Sequence, residues 1–192
     1  MTKTTTVIKT TTVTLLAAAL GAALCGTQAS AQSAAPPEKP ITLKLGAFLP
    51  SGGFLKNATS NSWFSVGAEY AVAPHGSQAA ASSLVPLGYI DYAGSNRHGV
   101  NARYIGIGPG VRYNLTAPGA STLVPYVGAG IGAYFLHASS FGGTSTKTNF
   151  GYRLNAGVEF NRAYVFEINY TDPESLDHTR FSGFNIQVGA RL

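Results

Sequence analysis

The stretch Asp177-His178-Thr179-Arg180 sets a carboxylate, an imidazole, a hydroxyl and a guanidinium side by side. A histidine oriented by an acid can take a proton from a hydroxyl and make it a nucleophile. An Asp-His pair is also ordinary in a solvated loop, and no third member of a catalytic set can be assigned. No catalytic residue is therefore named, and the chain is not expected to be an enzyme. The remaining histidines fall in a turn (His75), a loop (His98) and a strand end (His137). No two have the H-x-x-x-H spacing of a metal pair, so neither a metal nor a cofactor is expected. The strained serine elbow G-x-S-x-G does not occur.

Two glycine series could suggest phosphate binding. Gly106, Gly108 and Gly110 lie in "IGIGPGVRY", and Gly128, Gly130 and Gly132 in "YVGAGIGAYF". A dinucleotide fingerprint needs G-x-G-x-x-G on a turn that opens a helix. Here the spacing is two throughout, which is the period of one strand face. If paired residue numbers sum to about 238, the six glycines oppose one another as one bare patch: Gly106 with Gly132, Gly108 with Gly130, Gly110 with Gly128. A bare wall makes room for bulk from the opposite side, with Trp63 and Tyr89 as candidates. It also relaxes the limits on sharp coiling.

These residues need elements to position them. Beyond Pro40, eight strand-like runs alternate: Ile41–Leu49, Trp63–Val72, Leu84–Ala93, Asn101–Leu115, Leu123–His137, Asn149–Phe160, Tyr164–Thr171 and Phe181–Leu192. None has a sustained helical period. In the sixth, Phe150, Tyr152, Leu154, Ala156, Val158 and Phe160 share a face opposite Arg153, Asn155 and Glu159. In the third, Ile90 and Tyr92 are placed on the outer face and Tyr89 and Asp91 on the inner. The polar faces collect Lys44, Arg112, Arg153 and Arg191 with Glu69, Asp91, Glu159 and Glu167. Four cations balance four anions. A narrow interior would have to pair them, so they suggest a plug of ion pairs. Arg112 with Glu159, and Lys44 or Arg191 with Glu167, are the expected pairs. A proton or ion path is the alternative use.

The ends of the chain add compartment. Lys3 and Lys9 precede an apolar run from Val13 to Leu24, and Ala29-Ser30-Ala31 has the A-x-A form of a cleavage site. Residues 1–31 read as a secretory signal peptide, and 32–40, with Pro36, Pro37 and Pro40, as a short extended linker. Leu24 before Cys25 is too large for a lipoprotein site, and no other cysteine exists, so no disulfide holds the mature chain. Charged residues are 11% of the chain, against roughly 25% in soluble proteins. The net charge of +5 is small and scattered, which excludes a nucleic-acid footprint.

Alternating strands serve a soluble barrel or a membrane barrel, and periodicity alone does not choose. The low charge, the glycine-rich polar faces and the aromatics at strand ends favour lipid outside. The connection after the sixth strand, Asn161-Arg162-Ala163, is tight. Phe160 and Tyr164 are both placed outward, so an odd number of residues must separate the paired positions, and a three-residue loop with Phe160 opposite Tyr164 is expected. The loops after the first, third, fifth and seventh strands are longer: 50–62, 94–100, 138–148 and 172–180. With "NFGYRLNAGVEF", "AYVFEINYT" and the ending "FNIQVGARL", the chain from Ile41 to Leu192 resembles the small eight-stranded outer-membrane β-barrel proteins (the outer membrane protein beta-barrel domain family, OmpA/OmpX/OmpW-like barrels) of Gram-negative-type bacteria.

The resemblance implies an all-β, eight-stranded antiparallel up-and-down transmembrane β-barrel over 41–192, monomeric, in the cell outer membrane, with 32–40 as a periplasmic linker. It implies contact with outer-membrane lipid and lipopolysaccharide, and recognition of the last strand by the barrel-assembly machinery. The terminal Gly189-Ala190-Arg191-Leu192 departs from that signal, which ordinarily closes on an aromatic. The expected role is structural or surface interaction through the extracellular loops. A narrow channel or pocket for small apolar solutes is the alternative. A lipid A-modifying enzyme, in which a His and a Ser would act on the outer surface, ranks third.

Overall fold

The structure, a computed structural model, describes residues 40–72, 84–97, 99–115, 122–140, 142–173 and 180–192. Eight antiparallel strands form a closed barrel in sequence order: β1 (Ile41–Pro50), β2 (Trp63–Ala71), β3 (Leu84–Arg97), β4 (Val100–Asn114), β5 (Leu123–Ser140), β6 (Gly143–Phe160), β7 (Tyr164–Pro173) and β8 (Gly183–Arg191). β1 pairs with both β2 and β8, which closes the cylinder. Its first and last strands therefore begin and finish at one rim, here the terminal end. The connections after β1, β3, β5 and β7 lie at the other, far end.

Alternation sets the two faces. Leu43, Leu45, Val66, Ile90, Ile105, Ile107, Ile131, Leu154, Phe166, Ile186 and Val188 point outward and are exposed. Lys44, Ser65, Tyr89, Asp91, Tyr104, Arg153, Asn169 and Gln187 are buried in the lumen. An apolar exterior around a polar interior is stable only with hydrocarbon outside. Outward aromatics cluster at both rims, with Tyr70, Tyr113, Phe160 and Tyr164 at the terminal end and Phe64, Phe135, Phe150 and Phe184 towards the far end.

Phe160 pairs with Tyr164 across the β6–β7 turn, so both keep their outward side. Asn161 and Arg162 have φ of 52° and 56°, and the Ala163 N–H donates to the Phe160 carbonyl at 3.1 Å. Two successive left-handed residues give the turn the twist that its strands require.

The far end differs from the expected long loops. β3 and β4 run on to Arg97 and Val100, and β5 and β6 run on to Ser140 and Gly143. Most of 94–100 and 138–148 is therefore strand. The β-branched Thr144, Thr146 and Thr148 suit a pleated ladder, and glycines at φ of 74° (Gly99) and 138° (Gly143) let the chain reverse sharply. β6 pairs with β7 only up to Gly151–Pro173, so the β5–β6 hairpin rises above its neighbour. The first loop also holds an unexpected short helix, α1 (Gly53–Ala58).

Candidate functional site

Seven strands deliver charge to one place. Lys44 comes from β1, Glu69 from β2, Asp91 from β3, Arg112 from β4, Arg153 and Glu159 from β6, Glu167 from β7 and Arg191 from β8. Glu69 is the hub. Its carboxylate takes Lys44 Nζ at 2.7 Å, Arg112 Nη2 at 2.7 Å and Arg153 Nη2. Lys44 also reaches Glu167 at 2.7 Å, and Arg153 reaches Asp91 at 2.7 Å. Nearer the terminal end, Arg191 Nη1 lies 2.7 Å from Glu159, whose other oxygen is 3.5 Å from Arg112. Of the two candidates for Glu167, Lys44 is thus the partner, and Arg191 pairs with Glu159 instead.

Neutral groups complete the shell. Glu167 also accepts hydrogen bonds from Tyr126 Oη and Asn155 Nδ2, both at 2.9 Å. The guanidinium of Arg112 lies 4.3 Å from the Tyr126 ring centroid, and that of Arg153 lies 4.6 Å from the Tyr89 ring centroid. This dense satisfaction is what allows charges to be buried inside the cylinder, because a carboxylate withdrawn from water without partners is prohibitively costly. Asp91 Oδ1 and Arg112 Nε remain without a hydrogen-bond partner among the described residues. Above the charges lies an amide layer. Asn169 donates to Gln187 at 3.1 Å, and Asn185 donates to Asn169 at 3.0 Å and to Tyr104 Oη at 2.9 Å. The sequence signal for this layer was a run of uncharged polar residues on the inner faces of β7 and β8.

The six glycines line the β4–β5 wall, but their register needs correction. Paired numbers sum to 240, as in Gly110–Gly130, Gly106–Tyr134 and Arg112–Gly128. Gly108 therefore does not face Gly130; it sits against Gly132. The two-residue difference keeps every glycine on the inner face, which is why alternation could not detect it. The covering bulk also differs. A Cβ on Gly130 would lie 2.7 Å from the Tyr89 ring, one on Gly106 2.5 Å from the Tyr134 ring, and one on Gly110 3.2 Å from Leu87. Tyr89 does cover the patch, but from adjacent β3 rather than the opposite wall. Trp63 does not reach it.

Trp63 instead caps the far end. With Phe48, Leu55 of α1, Tyr104, Tyr134, Leu136 and Phe181 it forms a buried apolar cluster. Its ring centroid is 5.3 Å from that of Phe48 and 6.1 Å from that of Phe181. Its indole N–H donates to Thr59 Oγ1 at 2.9 Å, which satisfies the one polar atom of the ring. From the terminal end outward the lumen is filled in turn by ion pairs, amides and aromatic rings.

Among the described residues no group of three metal-ligating side chains occurs. His137 points outward on β5, with Nδ1 3.1 Å from Thr146 Oγ1. His75, His98 and Asp177-His178-Thr179 lie outside the described residues, as do 1–31 and 32–39.

A family model for the outer membrane protein beta-barrel domain matches residues 16–191. No curated protein sequence matches the chain. Three solved structures share the architecture. Neisserial surface protein A is 15% identical with a TM-score of 0.58, covering 79% of this chain and 94% of that one. The outer membrane enzyme PagL is 14% identical with a TM-score of 0.52, covering 79% and 97%. The N-terminal barrel of Pseudomonas aeruginosa OprF is 12% identical with a TM-score of 0.50, covering 79% and 96%. A surface protein and an enzyme on one scaffold illustrate that such likeness carries fold and not activity.

Proposed function

The chain belongs to the outer membrane protein beta-barrel domain family, and from that footing we propose that it acts at its outer rim rather than through its lumen. The observation that carries this reading is the filling of the interior. Lys44, Arg153 and Glu167 are fully buried with their partners, and Phe48, Trp63, Tyr104 and Phe181 seal the far end. An eight-stranded barrel has an interior just wide enough for its own side chains, so a filled lumen leaves no aqueous path.

In this reading residues 1–31 are removed on export and 32–40 lead from the periplasm into β1. The terminal end faces the periplasm and the far end the cell exterior. The extended β3–β4 and β5–β6 hairpins then stand as the surface that meets partners. Leu192 donates its N–H to the Ile41 carbonyl at 2.8 Å, which ties the last residue to the first strand. β8 is the strand offered to the barrel-assembly machinery, and the barrel works as a monomer ringed by lipid. The test is conductance in planar bilayers. The folded protein should insert without opening steady current steps. A reproducible single-channel conductance would overturn the plugged-lumen reading and favour the solute path.

A further inference from the structure

One row of the outer wall breaks the apolar pattern. Reading β4 from the terminal end, the outward residues are Tyr113, Val111, Pro109, Ile107, Ile105 and then Arg103. On β5, Phe135 is likewise followed by His137. Strand register sets Gly94, Arg103, His137 and Thr146 side by side on β3, β4, β5 and β6. The row beneath is Tyr92, Ile105, Phe135 and Thr148, and below it come Ile90, Ile107, Ala133 and Phe150.

The height of this row is informative. From Tyr113 to Arg103 the strand advances by about ten residues, or about 25 Å along a barrel tilted near 40°. The apolar band of such barrels is also about 25 Å tall. Arg103 and His137 therefore stand where hydrocarbon gives way to headgroups.

Local geometry gathers polar atoms at that level. A Cβ on Gly94 would lie 2.6 Å from Tyr92 Oη and 3.1 Å from Arg103 Cβ. The Tyr92 phenol thus lies across the bare glycine, and its hydroxyl is raised beside Arg103. His137 and Thr146 are within hydrogen-bond distance in the same row. Four carboxylates, Glu69, Asp91, Glu159 and Glu167, are turned into the lumen. Among the described residues that leaves Asp172 as the outer-rim carboxylate. It lies on β7, beyond β6, and accepts a hydrogen bond from Tyr152. Lys56, Arg97, Arg103 and Arg180 are exposed around the same rim.

We propose that Arg103, His137, Thr146 and the Tyr92 hydroxyl seat a phosphate of an outer-leaflet glycolipid of the lipopolysaccharide type. Its acyl chains lie against Ile105, Phe135, Ile107 and Phe150. The guanidinium fork matches two phosphate oxygens, and the hydroxyls add neutral hydrogen bonds. Ala133, half-buried between the taller Ile107 and Phe150, leaves a furrow for a chain. The seat is continuous with the lipid-facing band and complements an anion in charge. It rests on the orientation proposed above, with the far end outermost.

The test uses the folded barrel in detergent micelles with lipopolysaccharide or its enzymatically dephosphorylated form, and counts bound lipid by native mass spectrometry. The wild type should retain the phosphorylated lipid. Arg103→Gln combined with His137→Gln should retain about tenfold less, the equivalent of one charge-assisted hydrogen bond. The wild type should hold the dephosphorylated lipid as weakly as the variant holds the intact one. Arg162→Gln, at the opposite end, should change nothing. Heat-modifiable migration on gels checks that each variant is folded, and Arg103→Gln alone is read in the same way. Equal retention by variant and wild type, or equal binding of the dephosphorylated lipid, overturns the seat. Full displacement by phosphatidylglycerol overturns the glycolipid assignment. Orientation is read separately, by labelling Thr144→Cys with an impermeant maleimide on intact cells. No labelling there sinks the orientation, whereas the micelle result speaks to the seat alone.

Discussion

Replacing Glu69 by Gln keeps the shape of the hub and removes its charge. Three cations then lose a shared anion: Lys44, Arg112 and Arg153. Lys44 retains Glu167 at 2.7 Å, Arg112 retains Glu159 at 3.5 Å, and Arg153 retains both Asp91 at 2.7 Å and Glu167 at 3.5 Å. Removing one partner of a buried ion pair costs about 3–5 kcal/mol, and these residual contacts place the loss near the lower end, about 3 kcal/mol. Glu159→Gln is the internal comparison. Its nearer partner Arg191 is 15% exposed, so water can take over, and its other partner, the buried Arg112, stands at 3.5 Å and keeps Glu69 at 2.7 Å, so the loss should be about 1 kcal/mol. Trp63, the chain's one tryptophan, is buried in the cap and reports unfolding by fluorescence. Urea titration in lipid vesicles gives both values. Glu69→Gln with Lys44→Met should lose less than the two single changes added together, because the second change removes one of the stranded cations. Equal losses of under about 1 kcal/mol for Glu69→Gln and Glu159→Gln would show that the lumen is wet and the hub is screened like a surface pair.

Gly130→Ala puts a Cβ 2.7 Å from the Tyr89 ring and 3.1 Å from the Pro109 carbonyl, and should cost about 1–3 kcal/mol in the same titration. Gly88→Ala meets nothing within 4 Å and should be silent or stabilise by about 0.5 kcal/mol. Arg162→Gly relieves a left-handed residue at φ 56° and should raise stability by about 1 kcal/mol, with a lower unfolding midpoint counting against it. Spin labels at Leu154 and Val158 should be quenched by oxygen dissolved in lipid, whereas labels at Arg153 and Asn155 should be shielded; the reverse order would turn the barrel inside out.

Period two made the strands and their faces legible. In β6, β7 and β8 the outward apolar residues alternate with polar residues or glycines, Val165 excepted, and the tight turn then fixes the β6–β7 register through Phe160 and Tyr164. Register between β4 and β5 was not legible in the same way. Shifting that pair by two residues keeps all six glycines inward, and glycines carry no side chain whose fit could choose between 238 and 240. Contacts across the lumen were harder still. That Glu69 would gather three cations depends on how seven strands curve around one axis, and no local pattern encodes it. The far-end cap escaped for another reason. Leu55 lies outside the strands, where no alternation marks an inward residue, and Phe181, the first residue of the eighth strand-like run, precedes the paired part of β8.

The ion-pair hub also bears on how the barrel is made. Its contacts join residues far apart in the chain: Lys44 to Glu69 across 25 positions, Arg153 to Glu69 across 84, and Lys44 to Glu167 across 123. No single hairpin contains a satisfied set. A growing sheet that has not yet joined β1 to β8 holds Lys44 apart from Glu167, and each must keep its water. Such a sheet cannot pass into hydrocarbon piecemeal without exposing stranded charges. Closure and dehydration of the interior are thus coupled, because the long-range contacts reward the chain only once the strands that carry them are in place. The same arrangement acts as a latch: opening the β1–β8 seam frees Lys44 from Glu167 and readmits water to the whole core.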